Sequence, residues 1–236
     1  MSSRFQTTQW SLVLEASRSS PDARAALETL CARYWFPLYA FIRRQGHDPD
    51  RARDLTQSYF LTLFDTDYLK RVEPGGGKFR SFLLVSLKFF LSNERARERA
   101  EKRRADDPAH QVDLDGAEDL YSRSSEEHLD AETMFEKRWA MTVVNRGYER
   151  LGEDYEASGK GELFQVLRGH ITGAGDAKPY AELAERFEMS EGAVKVAVHR
   201  MRQRLGRILR EEVALTVSDP EEVDTELKQL LQTLAR

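Results

Sequence analysis

The sequence predicts an all-α protein of two helical domains joined by an acidic flexible linker, the second domain carrying a helix-turn-helix. Three observations lead there. Apolar residues recur at three- and four-residue spacing along most of the chain, and no run has the alternation of a half-buried strand. The stretch 105–130 loses that period and is rich in acids, among them Asp106, Asp107, Asp113, Asp115, Glu118, Asp119, Glu126 and Glu127. The stretch Tyr180–Arg210 reads as a short helix, a tight turn and a basic second helix. The expected limits are 1–104 for the first domain, 105–132 for the linker, 133–215 for the second domain and 216–236 for a C-terminal helical extension.

Composition allows this plan. The 236 residues suffice for one or two domains with real cores. Hydrophobic residues make up 40% and charged residues 32%, which describes a globular chain with a polar surface. A formal net charge of −4 argues against uniform non-specific binding to nucleic acid, so any such binding must come from local clustering of cations. The single cysteine, Cys31, allows no internal disulfide and sits in an apolar helical pattern that suits packing. The first ten residues lack a signal-peptide pattern, and the most apolar run, Phe82–Leu91, is interrupted by Lys88 and too short to span a bilayer. A cytoplasmic protein without membrane insertion is expected.

Taken in order, Thr7 or Thr8 caps a short helix through Ser17, with Trp10, Val13 and Leu14 on its apolar side. Ser19-Ser20-Pro21-Asp22 turns into the next helix. Over 23–45 its apolar stripe is Leu27, Leu30, Tyr34, Leu38, Phe41 and Ile42, and Gly46 ends it as a left-handed C-terminal residue. Asp48-Pro49 restarts a helix whose core face is Ala52, Leu55, Tyr59, Phe60, Leu63 and Phe64. The loop 65–78 holds Pro74-Gly75-Gly76-Gly77 before Lys78. It lacks the spacing and the Ser/Thr of a phosphate loop and reads as a surface turn.

A long helix over 79–104 follows. Its first half is nearly all apolar, and its second half carries Asn93, Arg95, Arg97, Arg99, Lys102, Arg103 and Arg104 against Glu94, Glu98 and Glu101. That second half is either a solvated face with i,i+4 ion pairs or a phosphate-contacting one, and the build-up of cations along the helix favours contact.

Beyond the linker, Phe135, Trp139, Val143, Val144, Tyr148 and Leu151 share a helical face. Gly159-Lys160-Gly161 breaks the chain before a short helix bearing Leu163, Phe164, Val166, Leu167 and Ile171. Gly173–Asp176 and Pro179 lead to the two-helix segment. Leu183, Ala184 and Phe187 face inward from its first helix, and Ser190 caps its second. In the second helix Val194, Val198, Met201 and Leu205 form a buried stripe, and Lys195, His199, Arg200, Arg202, Gln203, Arg204, Arg207 and Arg210 crowd the other faces. Ser218 or Asp219 caps a last helix opened by Pro220, with Val223, Leu227, Leu230, Leu231 and Leu234 apolar.

Nothing points to catalysis. The five histidines are scattered, no metal-ligand spacing joins them to Cys31, and no serine stands in a nucleophile elbow. No enzyme activity, cofactor or metal is expected. The basic helix after a tight turn suits a DNA major groove instead.

With these pieces placed, the chain resembles bacterial RNA polymerase sigma factors of the extracytoplasmic-function type, over most of its length. Residues 52–60, AlaArgAspLeuThrGlnSerTyrPhe, resemble the family's polymerase-clamp-binding helix. Phe79-Arg80-Ser81-Phe82-Leu83 resembles the start of its promoter-melting helix. TyrAlaGluLeuAla at 180–184 and SerGluGlyAlaValLys at 190–195, with His199-Arg200, resemble its helix-turn-helix.

The resemblance implies a non-enzymatic specificity subunit whose partners are core RNA polymerase and promoter DNA, and it leaves room for an anti-sigma or other regulatory partner. Asp54, Gln57, Phe60 and Leu61 would contact the polymerase. Lys78, Phe79, Arg80, Phe82, Asn93 and Arg97 would contact the downstream promoter element. Ser190, Gly192, Lys195, Val196, His199, Arg200, Arg202 and Gln203 would contact the upstream one. Of the cations, Arg202, Arg204 and Arg207 would meet phosphates or in part serve structure.

The chain also departs from the family. Glu188 stands where the turn usually has Gly, Ala193 and Ala197 replace the common Thr and Arg, and Val85 and Phe89 replace the common Arg and Asn. Two other readings stay open: a sigma-like adaptor that binds polymerase without opening promoters, and a stand-alone helix-turn-helix repressor.

Overall fold

The computed structural model describes residues 21–63, 78–101, 129–172 and 178–235. The described residues are helical throughout their regular structure, without a strand, so the fold is all-α. The expected N-terminal helix through Ser17, the Pro74–Gly77 turn, most of the acidic linker and the Gly173–Asp176 turn lie outside them. The helices are α1 (Pro21–Arg44), α2 (Pro49–Leu63), α3 (Phe79–Glu101), α4 (Ala131–Ala157), α5 (Gly161–Leu167), α6 (Gly169–Thr172), α7 (Tyr180–Arg186), α8 (Glu191–Ala214) and, after a 3-10 turn at Pro220–Glu222, α9 (Val223–Leu234).

The local signals act where the sequence puts them. Gly46, with φ of +92°, follows the end of α1 and donates its N–H to the Arg43 carbonyl at 3.0 Å. The Asp48 carboxylate accepts from the Arg51 N–H at 2.9 Å and starts α2. Asp130 does the same for α4 through the Thr133 N–H, and Asp219 for the final turn through the Glu221 N–H, each at 2.9 Å.

Two compact units result. The first comprises 1–142 and 214–236, and the second is 143–213. These limits differ from the expected 133 and 215. The reason lies in α4, which is continuous while its buried residues are divided. Met134, Phe135, Trp139 and Ala140 belong to the first unit, and Val143 and Leu151 to the second. In the first unit Trp139 stacks on Tyr34, with centroids 4.5 Å apart and planes 9° from parallel. Phe79 lies 5.4 Å from Tyr34 and 6.2 Å from Trp139, and Phe135 closes the cluster at 5.9 Å from Trp139. All four rings are at most 5% exposed. Offset aromatic contacts add about 0.5–1.5 kcal/mol each beyond the area they bury. The Tyr59 hydroxyl, buried between α2 and α3, donates to the Leu83 carbonyl at 3.1 Å and lies 2.5 Å from Ser86 Oγ.

The C-terminal segment completes the same unit. Phe79 N–H donates to the Thr216 carbonyl at 2.9 Å. Helix α9 buries Leu227 and Leu230, worth about 3–6 kcal/mol together. The buried acid of the segment matters as well. Glu226, its side chain only 1% exposed, receives Lys78 Nζ at 2.8 Å and Arg80 Nε at 2.5 Å. Arg80 also pairs with Glu136 of α4.

In the second unit α4 and α8 meet closely. A side chain on Gly147 would overlap Leu209, since a Cβ there would fall 2.6 Å from Leu209 Cδ2. Next to this contact Glu212 accepts from Arg146 at 2.9 Å and from Arg150 at 2.7 Å. Burial alone would raise the carboxyl pKa values of Glu212 and Glu226, but the hydrogen bonds and charges of their cationic partners outweigh it, and both lie below the ordinary 4.5. Burial pushes the Cys31 thiol up to about 11, which keeps it protonated at neutral pH.

Glu212→Ala is expected to lower the unfolding free energy by roughly 2–3 kcal/mol, less than for a fully buried pair because both guanidiniums keep some water. An unchanged urea midpoint would refute this. Because the folded-state values of Glu212 and Glu226 are depressed, their stabilisation is whole above about pH 4.5 and is lost as pH falls through those values. Melting temperatures taken from pH 7 down to pH 3 should show the fall, and Glu212→Gln should remove part of it.

Candidate nucleic-acid interface

In the second unit α7 and α8 are joined by Phe187–Ser190. The Met189 N–H reaches the Ala184 carbonyl at 2.9 Å, which folds the chain back on α7. That reversal needs one left-handed residue, and Glu188 supplies it with φ of +53°. Among the described residues it is the one non-glycine with positive φ. Ser190 then caps α8, its Oγ accepting from the Ala193 N–H at 3.2 Å.

The expected inward stripe is buried: Val194, Val198, Met201 and Leu205, continued by Ile208, Leu209 and Val213. The opposite face stands in solvent. Ser190, Gly192, Lys195, Val196, His199, Arg200, Arg202 and Gln203 are all exposed. Lys195, His199, Arg202 and Gln203 fall on one side of the helix. Lys195 Nζ lies over the Tyr180 ring at 5.6 Å, and the His170 ring stacks on the same tyrosine with centroids 4.6 Å apart. The Arg202 guanidinium donates to the His170 carbonyl at 2.5 Å. Arg204, expected at phosphates or in a structural role, takes the structural one: it pairs with Asp154 at 2.8 Å and covers the Tyr155 ring. Arg200 and Arg207 are exposed and have no hydrogen-bond or ion partner among the described residues.

The first unit treats its expected contact residues differently. On α2, Asp54 and Gln57 are half-exposed and Leu61 is 69% exposed, and these three share an outward face. Phe60 does not join them. It is buried and stacks on Trp35 with centroids 6.0 Å apart, because the helix turns position 60 toward α1.

On α3, Phe79 is fully buried in the aromatic cluster and cannot touch a base as it stands. Lys78 and Arg80 are engaged by Glu226, and Phe82 is half-buried against Phe79 at 6.1 Å. The expected open contact surface at the start of α3 is therefore absent from this arrangement. Asn93 and Arg97 are exposed further along. Asn93 lines a small depression of about 110 Å³ with Tyr59, Thr62, Leu63, Ser86, Phe89 and Phe90. Val85 and Phe89 are 67% and 62% exposed, an apolar stripe open to solvent.

Sequence reasoning missed Glu212 and Glu226 as organisers of their units. A signal existed: each is an acid set within an apolar helical stripe, 212 among 205, 208, 209 and 213, and 226 among 223, 227 and 230. The support that His170 and Tyr180 give Lys195 had no such signal.

Among the described residues no cluster of three or more His, Cys, Asp or Glu could hold a metal ion, and no helix is long and apolar enough to cross a membrane. Comparison of the chain with known protein families, with curated proteins and with solved structures finds no match in any of the three.

Glu188→Gly should raise stability by about 0.5–1 kcal/mol, because relief of the left-handed penalty exceeds the entropy that glycine adds to the unfolded chain. Glu188→Val should lower it by about 1 kcal/mol. Thermal melts of the two variants check the pair, and equal melting points would show the turn to be unstrained.

Proposed function

We propose that the protein is a sigma-type specificity subunit that directs a bacterial RNA polymerase to promoters, with α8 entering the DNA major groove. The observation that carries this reading is the exposed face of α8. It is a capped helix with one side in the core and the other presenting Lys195, Val196, His199, Arg200 and Gln203. Helix N-terminal residues after a tight turn are the ones that reach base edges in such docking. Arg200 is suited to a guanine edge and Gln203 to an adenine edge, while Arg207 is placed for phosphate. The outward residues Asp54, Gln57 and Leu61 of α2 are the surface offered to polymerase. The resemblance of 52–60 and 180–200 to the sigma family supports the assignment of both.

A second reading has its own observation. Val85 and Phe89 put apolar groups in solvent where the family's polar residues meet an opened strand. That favours an adaptor that holds polymerase and reads duplex DNA without melting it.

Arg200→Ala and Lys195→Ala should each weaken binding to the preferred duplex by about 1–3 kcal/mol if the side chain reads a base, measured at fixed salt. Undiminished binding in both would rule out the α8 assignment. Asp54→Lys should weaken capture of core polymerase while duplex affinity holds. Transcription from a genomic fragment library with purified core polymerase separates the two readings, since an adaptor yields complexes but no new start sites.

A further inference from the structure

We propose that Lys78 and Arg80 form a binding site for the phosphate backbone of a DNA strand, and that Glu226 occupies this site in cis until α9 is displaced. The proposal rests on the DNA-directed reading above and adds a mask to it. The geometry is that of an anion site already filled. Arg80 grips the carboxylate in a fork, Nε to Oε1 at 2.5 Å and Nη2 to Oε2 at 3.2 Å, and Lys78 Nζ holds Oε2 at 2.8 Å. A phosphate diester offers two free oxygens to the same three donors. Gln229 adds its side-chain oxygen to Lys78 at 2.5 Å, and Glu136 remains beside Arg80 from α4.

The occupant sits on an element that can be released by itself. Helix α9 is short and amphipathic, and among its apolar residues only Leu227 and Leu230 are buried. The preceding chain is fixed by the Thr216 carbonyl and the buried Val217, while 218–222 is exposed, so release can be confined to α9. The segment also brings Glu221, Glu222 and Asp224 along with Glu226. Glu226 fills the donors and the segment's other acids add negative charge to it, so docking of α9 and binding of DNA exclude one another. An intramolecular carboxylate needs no tight intrinsic affinity to win, because its effective concentration is high.

The test uses the full chain and a fluorescein-labelled single-stranded oligonucleotide at fixed salt. Glu226→Gln keeps the shape but removes the charge, and should raise affinity for the strand about tenfold. Adding Lys78→Gln to that variant should return affinity to the wild-type level. A folded Glu226→Gln protein with unchanged strand affinity overturns the proposal. If Glu226→Gln does not fold, hydrogen exchange of the wild type decides: saturating oligonucleotide should strip protection from the 223–234 amides, and unchanged protection overturns the mask. Duplex binding through α8 is read in parallel. A wild-type chain that binds no DNA of either kind sinks the parent reading and the mask together, whereas intact duplex binding with a silent Glu226→Gln sinks the mask alone.

Discussion

The stacking of Trp139 on Tyr34 decides how the rest of the chain is shared out. Both rings are almost fully buried, and together with Phe79 and Phe135 they make a closed aromatic cluster in the first unit. The four rings come from three stretches of chain, so helices α1, α3 and α4 must all converge there. That requirement draws the first turns of α4 out of the unit to which its later residues belong. It also places Arg80, one residue beyond Phe79, against Glu136, one residue beyond Phe135. The position of the Glu226 pair follows from the same convergence.

Buried charge is handled alike in both units. A cation that stabilises the fold meets an acid rising from an apolar helical stripe, as Arg146 and Arg150 meet Glu212 and Lys78 and Arg80 meet Glu226. Such pairs add less to net stability than their Coulomb energy suggests, but they fix register, because breaking one strands a desolvated charge. Cations on the outer side of α8 are spared this use. Arg204 is tied to Asp154, while Arg200 and Arg207 stay open. A chain of net charge −4 thereby keeps a local cationic face.

Helix positions were legible in the sequence because their signals are local. The Gly46 stop, the Asp48 and Ser190 caps and the Val194–Leu205 stripe each depend on residues within a few turns. The unit limits were not legible in the same way. The stripe Phe135–Leu151 keeps one helical period throughout, and nothing in that period says that Trp139 packs against Tyr34, more than a hundred residues earlier. Likewise the family-like motif at 79–83 suggested an exposed reading surface, and only the long-range contacts of Phe79 and Arg80 reveal otherwise. The positive φ of Glu188 lies between these cases. The family resemblance marked Glu188 as standing where the turn usually has glycine, and the left-handed φ of +53° is what that substitution entails.

The second unit is an insertion: the first is built from chain on both sides of it. On a ribosome this imposes an order. Arg80 and its partner Glu226 are 146 residues apart, so about 7–30 s of elongation separates their emergence. Residues 143–213 are all synthesised within that interval, so the second unit is made whole before the closing helix of the first. During that interval the start of α3 is uncovered, and a nascent chain passes through a state in which its cations are open to any polyanion nearby.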